Sequence, residues 1–217
     1  MALIESIKKK IESNHINFSL IGLSGKNYVG KDTVAAYLKK NHGYIQYAYA
    51  DPIKEIGRLM FGFSENQLYG NKKEEIDTRY NITPRDFFQK FGTEFGQFHL
   101  YELFPNLKEK IPERHFWVHC FHVWLEKKID ELITINSTSN SNSNSTSNSN
   151  SSKITVLKIL VSDIRFFHEA ESFSKLGGKI YSILRPTSQN YIKKINVHLS
   201  QKEVTQIPDE WFFYKNI

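Results

Sequence analysis

The sequence predicts an α/β fold: a three-layer domain on a mostly parallel central sheet of about five strands. Three observations predict it. Short apolar runs alternate with amphipathic helical stretches, as strand–helix–strand units require. A glycine-containing loop, Gly25–Thr33, separates the first apolar run from the first helical one. The 217 residues, 40% of them hydrophobic, suit one domain over residues 1–217 with a core of its own.

The elements follow in chain order. Leu3, Ile4, Ile7 and Ile11 share one face of a short helix. The charges in this segment stand where a secretory signal needs its apolar core. Phe18–Leu23 reads as a buried strand, Thr33–Asn41 as a helix marked by Val34, Ala35 and Leu38, and Gly43 as its stop. Tyr44–Tyr49 is a second strand. Pro52–Phe61 is a helix with Pro52 in its first turn and Ile53, Ile56, Leu59 and Met60 at helical spacing. Thr83-Pro84 opens a helix expected to run unbroken to Phe98, and another is expected over Phe116–Leu132. Asn136–Ser152 consists of Ser, Asn and Thr alone. With nothing to bury it cannot repay its ordering entropy, so a disordered surface insertion at 136–152, within the domain, is expected. Ile154–Val161 is a strand with Ser162-Asp163-Ile164-Arg165 at its C-terminal end. A helix carrying Ala170, Phe173 and Leu176 then stops at Gly177-Gly178. Ile180–Leu184 and Phe212–Tyr214 read as the last strands.

Composition excludes some classes of function. Cys120 is the single cysteine, so no intrachain disulfide forms, and a reducing, cytoplasmic location is expected. No apolar run is long enough to span a membrane. The net charge of +6 comes from scattered lysines and not from a stripe. It reads as composition, and no direct binding of nucleic acid is expected. A homodimer is left open.

Chemistry concentrates in Gly25-Lys26-Asn27-Tyr28-Val29-Gly30-Lys31-Asp32-Thr33. This is the phosphate-loop pattern G-x-x-x-x-G-K between a strand and a helix. Such a loop wraps phosphate oxygens with backbone N–H groups, and the helix N-terminus adds partial positive charge. Gly25, Lys26, Gly30, Lys31, Asp32 and Thr33 are therefore the expected ATP-binding residues. Lys31 is placed to follow charge onto the transferred phosphate. Asp32 stands where the pattern has a hydroxyl; Thr33, one residue later, is a candidate for orienting Mg2+. Asp163 ends a later strand and should share the loop's edge of the sheet. There it would hold a magnesium-bound water or orient the acceptor, with Arg165 neutralising the phosphate in transfer. The alternative is a helix N-cap at Asp163 and a surface Arg165. The expected reaction moves the terminal phosphate of a nucleoside triphosphate to a small acceptor.

Rival patterns are weaker. Asn71-Lys72-Lys73-Glu74 approaches the guanine-reading N-K-x-D, but it ends in Glu and precedes the second acidic strand. His115, His119 and His122 share a helical face near Cys120, yet no H-E-x-x-H accompanies them, and Trp117, Phe121 and Trp124 suggest packing. A kinase of another small phosphorylated metabolite, or a nucleotide-binding protein without catalysis, would carry the same loop.

Several blocks together resemble one family. Gly30-Lys31-Asp32-Thr33-Val34-Ala35, Tyr49-Ala50-Asp51-Pro52-Ile53-Lys54, Ile82-Thr83-Pro84-Arg85 with Gln89-Lys90-Phe91-Gly92-Thr93-Glu94, and Ser162-Asp163-Ile164-Arg165-Phe166 with Glu169-Ala170 are similar to segments of the deoxynucleoside monophosphate kinases of phages and large DNA viruses. The resemblance runs from Ser19 to Pro186, apart from the polar insertion. It implies a nucleoside-monophosphate-kinase fold and the reaction dNMP + ATP → dNDP + ADP with magnesium, in the host cytoplasm. It carries Lys31 over as the phosphate lysine, and Asp163 and Arg165 to the reaction centre. Arg85 becomes the clamp on the acceptor's phosphate, and a guanidinium suits that role with two parallel hydrogen bonds. Gln89 is either a base contact or a solvated face residue. Asp51 is either a magnesium or sugar contact or the N-cap of the helix at Pro52. His198-Leu199-Ser200-Gln201 departs from the family's H-x-S-E, and the family continues beyond Ile217, which implies a reduced adenine pocket or last helix.

Overall fold

The computed structural model describes residues 2–27, 29–141 and 155–184, and the following statements concern those residues. Helix α1 (Ala2–Ser13) leads into β1 (Asn17–Ser24), α2 (Lys31–His42) and β2 (Ile45–Tyr47). A helical lobe follows: α3 (Asp51–Phe61), α4 (Glu65–Leu68), a 3-10 turn (Asn71–Glu74), α5 (Pro84–Gln89), a π-helical segment (Lys90–His99) and α6 (Leu100–Leu103). The long α7 (Phe116–Ser141) returns to β3 (Val156–Ile164), α8 (Phe167–Lys175) and β4 (Lys179–Ser182).

The strands form a sheet in the order β2-β3-β1-β4, with every pairing parallel. Alternate side chains of each strand feed two cores. On one face Leu20, Ile159 and Val161 meet Ile7 of α1, Phe121, Leu125 and Ile129 of α7, and Phe173 of α8. On the other, Leu23 and Leu160 meet Ala35, Val34 and Leu38 of α2. The result is the three-layer α/β arrangement expected, with four strands among the described residues where about five were anticipated. The strand expected at Phe212–Tyr214 and the His198–Gln201 segment lie outside the described residues.

The helical lobe has its own aromatic core. Ile53, Phe63, Leu68, Phe87 and Trp117 are buried together, and Phe61, Phe88 and Phe91 pack on them. Rings stack in a chain from Phe61 on Phe63 to Phe87 on Phe91 and Phe91 on Phe95, with centroids 4.7–5.2 Å apart.

Two elements depart from expectation. The helix expected from Thr83-Pro84 to Phe98 changes to π geometry at Lys90. Trp117 is the reason: its Nε1 donates to the Gly92 carbonyl at 2.6 Å, and its ring fills the space a Cβ on Gly96 would need. A carbonyl bonded by an inserted side chain, beside two glycines, is a recognised cause of such a bulge. Helix α7 outruns its expected end at Leu132 and takes in Asn136–Ser141, so the disordered insertion does not begin at Asn136. Extending an existing helix costs little per residue. Ser137 and Thr138 fold their hydroxyls onto the carbonyls of Ile133 and Thr134, and Asn136 donates to the Thr155 hydroxyl at 2.8 Å. The remainder of the insertion lies outside the described residues.

Candidate active site

The glycine loop leaves β1 beside the end of β3, because Ser24 is in register with Ile164. Gly25 has φ +144° and Gly30 φ +106°, conformations that L side chains rarely adopt. A Cβ on Gly25 would also lie 2.7 Å from the Ile183 carbonyl, so this glycine lets the loop rest against the chain leaving β4. Gly30 then caps the start of α2.

Lys31, the first residue of α2, folds back over the loop. Its ammonium donates to the carbonyls of Gly25 and Lys26, each at 2.8 Å. Burial lowers its pKa and Arg165 lowers it further, while Asp32 and Asp163 oppose the shift. Lys31, Arg165 and Asp163 thus share one electrostatic environment. Asp32 and Thr33 are exposed on the first turn of α2, and Lys26 is exposed on the loop.

Asp163 lies within the last turn of pleat of β3. Its Oδ1 accepts from the Tyr49 N–H at 2.8 Å and its Oδ2 from the Ala50 N–H at 3.3 Å. These bonds tie the end of β3 to the chain leaving β2. They also settle the capping alternative, because α8 begins at Phe167 with Phe166 as its N-cap. Asp51 is not an N-cap either. It is the first residue of α3, behind Ala50, and its Oδ2 accepts from the Ala48 N–H at 2.8 Å. Burial raises the Asp51 pKa; Lys54, 3.5 Å away, opposes this, and Asp163 adds to it.

Glu169 is a residue to which sequence reasoning assigns no role. It is buried, and its Oε2 accepts from the N–H groups of Arg165 at 2.7 Å and Phe166 at 3.0 Å. Phe166 has no side-chain acceptor, so this is the Glu half of a capping box alone. Burial, then the charge of Asp163, raises the Glu169 pKa to about 8. With Phe166 at the N-cap in place of the usual Ser or Thr, the sequence carries only the Glu half of the signature.

A second group lies on the helical lobe. Thr83 caps α5 by accepting from the Asp86 N–H at 3.0 Å, and Pro84 follows in the first turn. Arg85, half-buried, donates through Nε to Glu74 Oε1 at 2.9 Å. Gln89 is half-buried one turn further along α5. Among the described residues no hydrogen bond or ion pair joins Arg85 or Gln89 to Lys31, Asp163 or Arg165. Two lysines of the lobe escape the sequence reading. Lys54 lies over the Tyr69 ring at 4.2 Å. Lys73 has its pKa lowered by burial first, then by Arg85 and Lys54, while Asp32 opposes. Lys54 stands in the block resembling the family, and Lys73 in the segment weighed as a guanine reader.

Magnesium takes oxygen ligands, keeps several waters and needs only one or two carboxylates besides phosphate oxygens. Asp163, with Asp51 near enough to feel its charge, offers carboxylate oxygens at the sheet edge, and Thr33 offers a hydroxyl on the first turn of α2, so these residues fit one or two protein contacts to the ion. Among the described residues no cluster of three or more His, Cys, Asp or Glu could hold a metal, so phosphate oxygens would have to complete the shell. The His115, His119 and His122 alternative fails on this count. His122 bonds the Ser172 hydroxyl at 2.9 Å, His115 packs on the ring of His168, and burial raises the Cys120 thiol to about 11.

A parallel sheet covered on both faces, with a glycine loop between its β1 strand and the following helix, is consistent with a phosphate-loop kinase-like fold. The comparisons with known proteins are narrower. The family described as deoxynucleotide monophosphate kinase matches residues 19–86. A protein of Acanthamoeba polyphaga mimivirus named "Putative deoxynucleotide monophosphate kinase" is 30% identical over 191 residues, 87% of this chain and 83% of that protein. The chain belongs to the deoxynucleotide monophosphate kinase family. No helix among the described residues is long and apolar enough to cross a membrane.

Proposed function

We propose that the chain transfers the γ-phosphate of ATP to a deoxynucleoside monophosphate, giving dNDP and ADP in the cytoplasm. The observation that carries this reading is the division of charged groups. Lys31, Asp163 and Arg165 share the C-terminal edge of the sheet, and Arg85, Lys54 and Lys73 gather on the helical lobe, with Lys73 feeling both Arg85 and Asp32. One cationic group suits a triphosphate and the other a monophosphate, as in-line transfer requires.

In this reading the loop N–H groups and Lys31 hold the donor phosphates, and Gly25 and Gly30 permit their close approach. The Lys31 ammonium exchanges its bonds to two loop carbonyls for phosphate oxygens. Asp163, its orientation set by the Tyr49 and Ala50 N–H groups, and Thr33 would hold magnesium, which would supply neutralisation of phosphate charge. Arg165 neutralises the equatorial oxygens. Arg85 grips the acceptor phosphate, Gln89 contacts the base and Asp51 lies toward the acceptor's sugar. An ADP-release screen with ATP and magnesium against each dNMP and NMP tests the reading. ADP formation that depends on a deoxynucleoside monophosphate is expected. ADP formed equally without any acceptor, or nucleotide binding with no turnover, overturns it.

A further inference from the structure

The turn between α4 and α5 carries charge that folding alone does not call for. Glu74 is 63% exposed at its side chain, and exposed ion pairs add little stability. Yet its carboxylate meets Arg85 at one particular atom, Nε. An arginine held at Nε still presents both terminal nitrogens as a parallel fork, the geometry a phosphate takes. The adjacent Lys73 is half-buried and makes no ion pair among the described residues. Its neighbours Arg85 and Lys54 are both cations, and each disfavours its charge. Glu74 meets Arg85 and Asp51 meets Lys54, so among the described residues Lys73 is the one of these three cations without an ion-pair partner, and an incoming anion would favour its charge.

We propose that the Asn71–Glu74 turn is a working wall of the acceptor site: Glu74 is a positioning residue that holds the Arg85 guanidinium with its terminal nitrogens open, and Lys73 is a second cation on the acceptor's phosphate. The inference rests on the assignment of Arg85 to the acceptor. The charge of Asp32, on the first turn of α2, favours the Lys73 ammonium, so Lys73 also feels the donor side. Glu74 does not touch substrate; removing its charge lets the guanidinium swing and lowers affinity without touching the donor.

Steady-state kinetics of Glu74→Gln, Lys73→Met and Arg85→Lys, each alone, and of Glu74→Gln combined with Arg85→Lys, tests this. Glu74→Gln should raise the KM for the monophosphate about fivefold and Lys73→Met about tenfold, with the KM for ATP and the melting temperature unchanged. In the Arg85→Lys background Glu74→Gln should add nothing, because the fork it positions is gone. An unchanged or lower KM in Glu74→Gln overturns the positioning role, and so do losses that multiply in the double variant. An unchanged KM in Lys73→Met overturns the second cation. If Arg85→Lys itself leaves monophosphate use intact, the acceptor assignment fails first and the inference falls with it. A loss in Arg85→Lys without one in Glu74→Gln and Lys73→Met overturns the inference alone.

Discussion

The sheet edge and the helical lobe hold their charged side chains by different means. At the sheet edge the backbone does the placing. Strand register sets Ser24 beside Ile164, two glycines shape the loop, and main-chain N–H groups of Tyr49, Ala50, Arg165 and Phe166 fix the carboxylates of Asp163 and Glu169. In the lobe, side chains do it. Stacked phenylalanines and Trp117 set the course of α5 and the π-helical segment, and exposed ion pairs such as Glu74–Arg85 orient the charges. A site that must hold a triphosphate in one register gains from the first kind of support. In the proposed reading, a lobe that receives the acceptor gains from the second, since surface pairs exchange partners at low cost.

Breaking the backbone-held side should have the largest effect. Lys31→Ala is expected to lower kcat/KM by at least a hundredfold, on the order of 3 kcal/mol of transition-state stabilisation. Its melting temperature should stay near that of the wild type, because the ammonium bonds only loop carbonyls. Turnover assays and thermal unfolding on the same sample check both halves of the statement. Next comes the packing of the lobe. A Cβ on Gly96 would stand 2.5 Å from the Trp117 ring, which its bond to the Gly92 carbonyl holds in place. Gly96→Ala should cost about 1–3 kcal/mol by overpacking. Denaturant unfolding measures that cost, and monophosphate use should fall while ATP affinity is kept.

A third effect, seen in acid, concerns the contact of α7 with α8 and leaves both sites alone. Burial lowers the pKa of His122 to about 4 and of His168 to about 3, from ordinary values near 6.5. Both rings are neutral when folded, and the unfolded chain binds protons first as pH falls. Their contribution to stability is therefore full above pH 6.5 and is lost on acidification through about 4 and then 3. Melting temperature should decline over that range, and His122→Gln should flatten part of the decline. A wild-type melting temperature that is level from pH 6.5 to 4 would show that the rings are not neutral in the fold.

The same contrast explains what the sequence made legible. The glycine loop, the four described strands and the place of Asp163 on the loop's edge follow from local patterns: apolar runs, Gly at positive φ, and a carboxylate at a strand end. The π-helical segment was not legible, because its cause, the indole of Trp117, lies 25 residues away in sequence. Helix α7 outran its expected end because a composition that cannot nucleate a helix can still prolong one. Lys54, Lys73 and Glu74 gave no signal as single residues. Glu74 gains its place from its bond to Arg85, which the lobe's packing brings about.

The separation of donor and acceptor is tested most directly by Arg85→Lys, with the KM for the monophosphate and the affinity for ATP measured on one preparation. An ammonium cannot reproduce a two-pronged contact, so a loss on the order of 2–4 kcal/mol in kcat/KM for the monophosphate is predicted, with ATP affinity almost unchanged. A variant that loses ATP affinity and keeps its use of the monophosphate would contradict the account and place Arg85 on the donor.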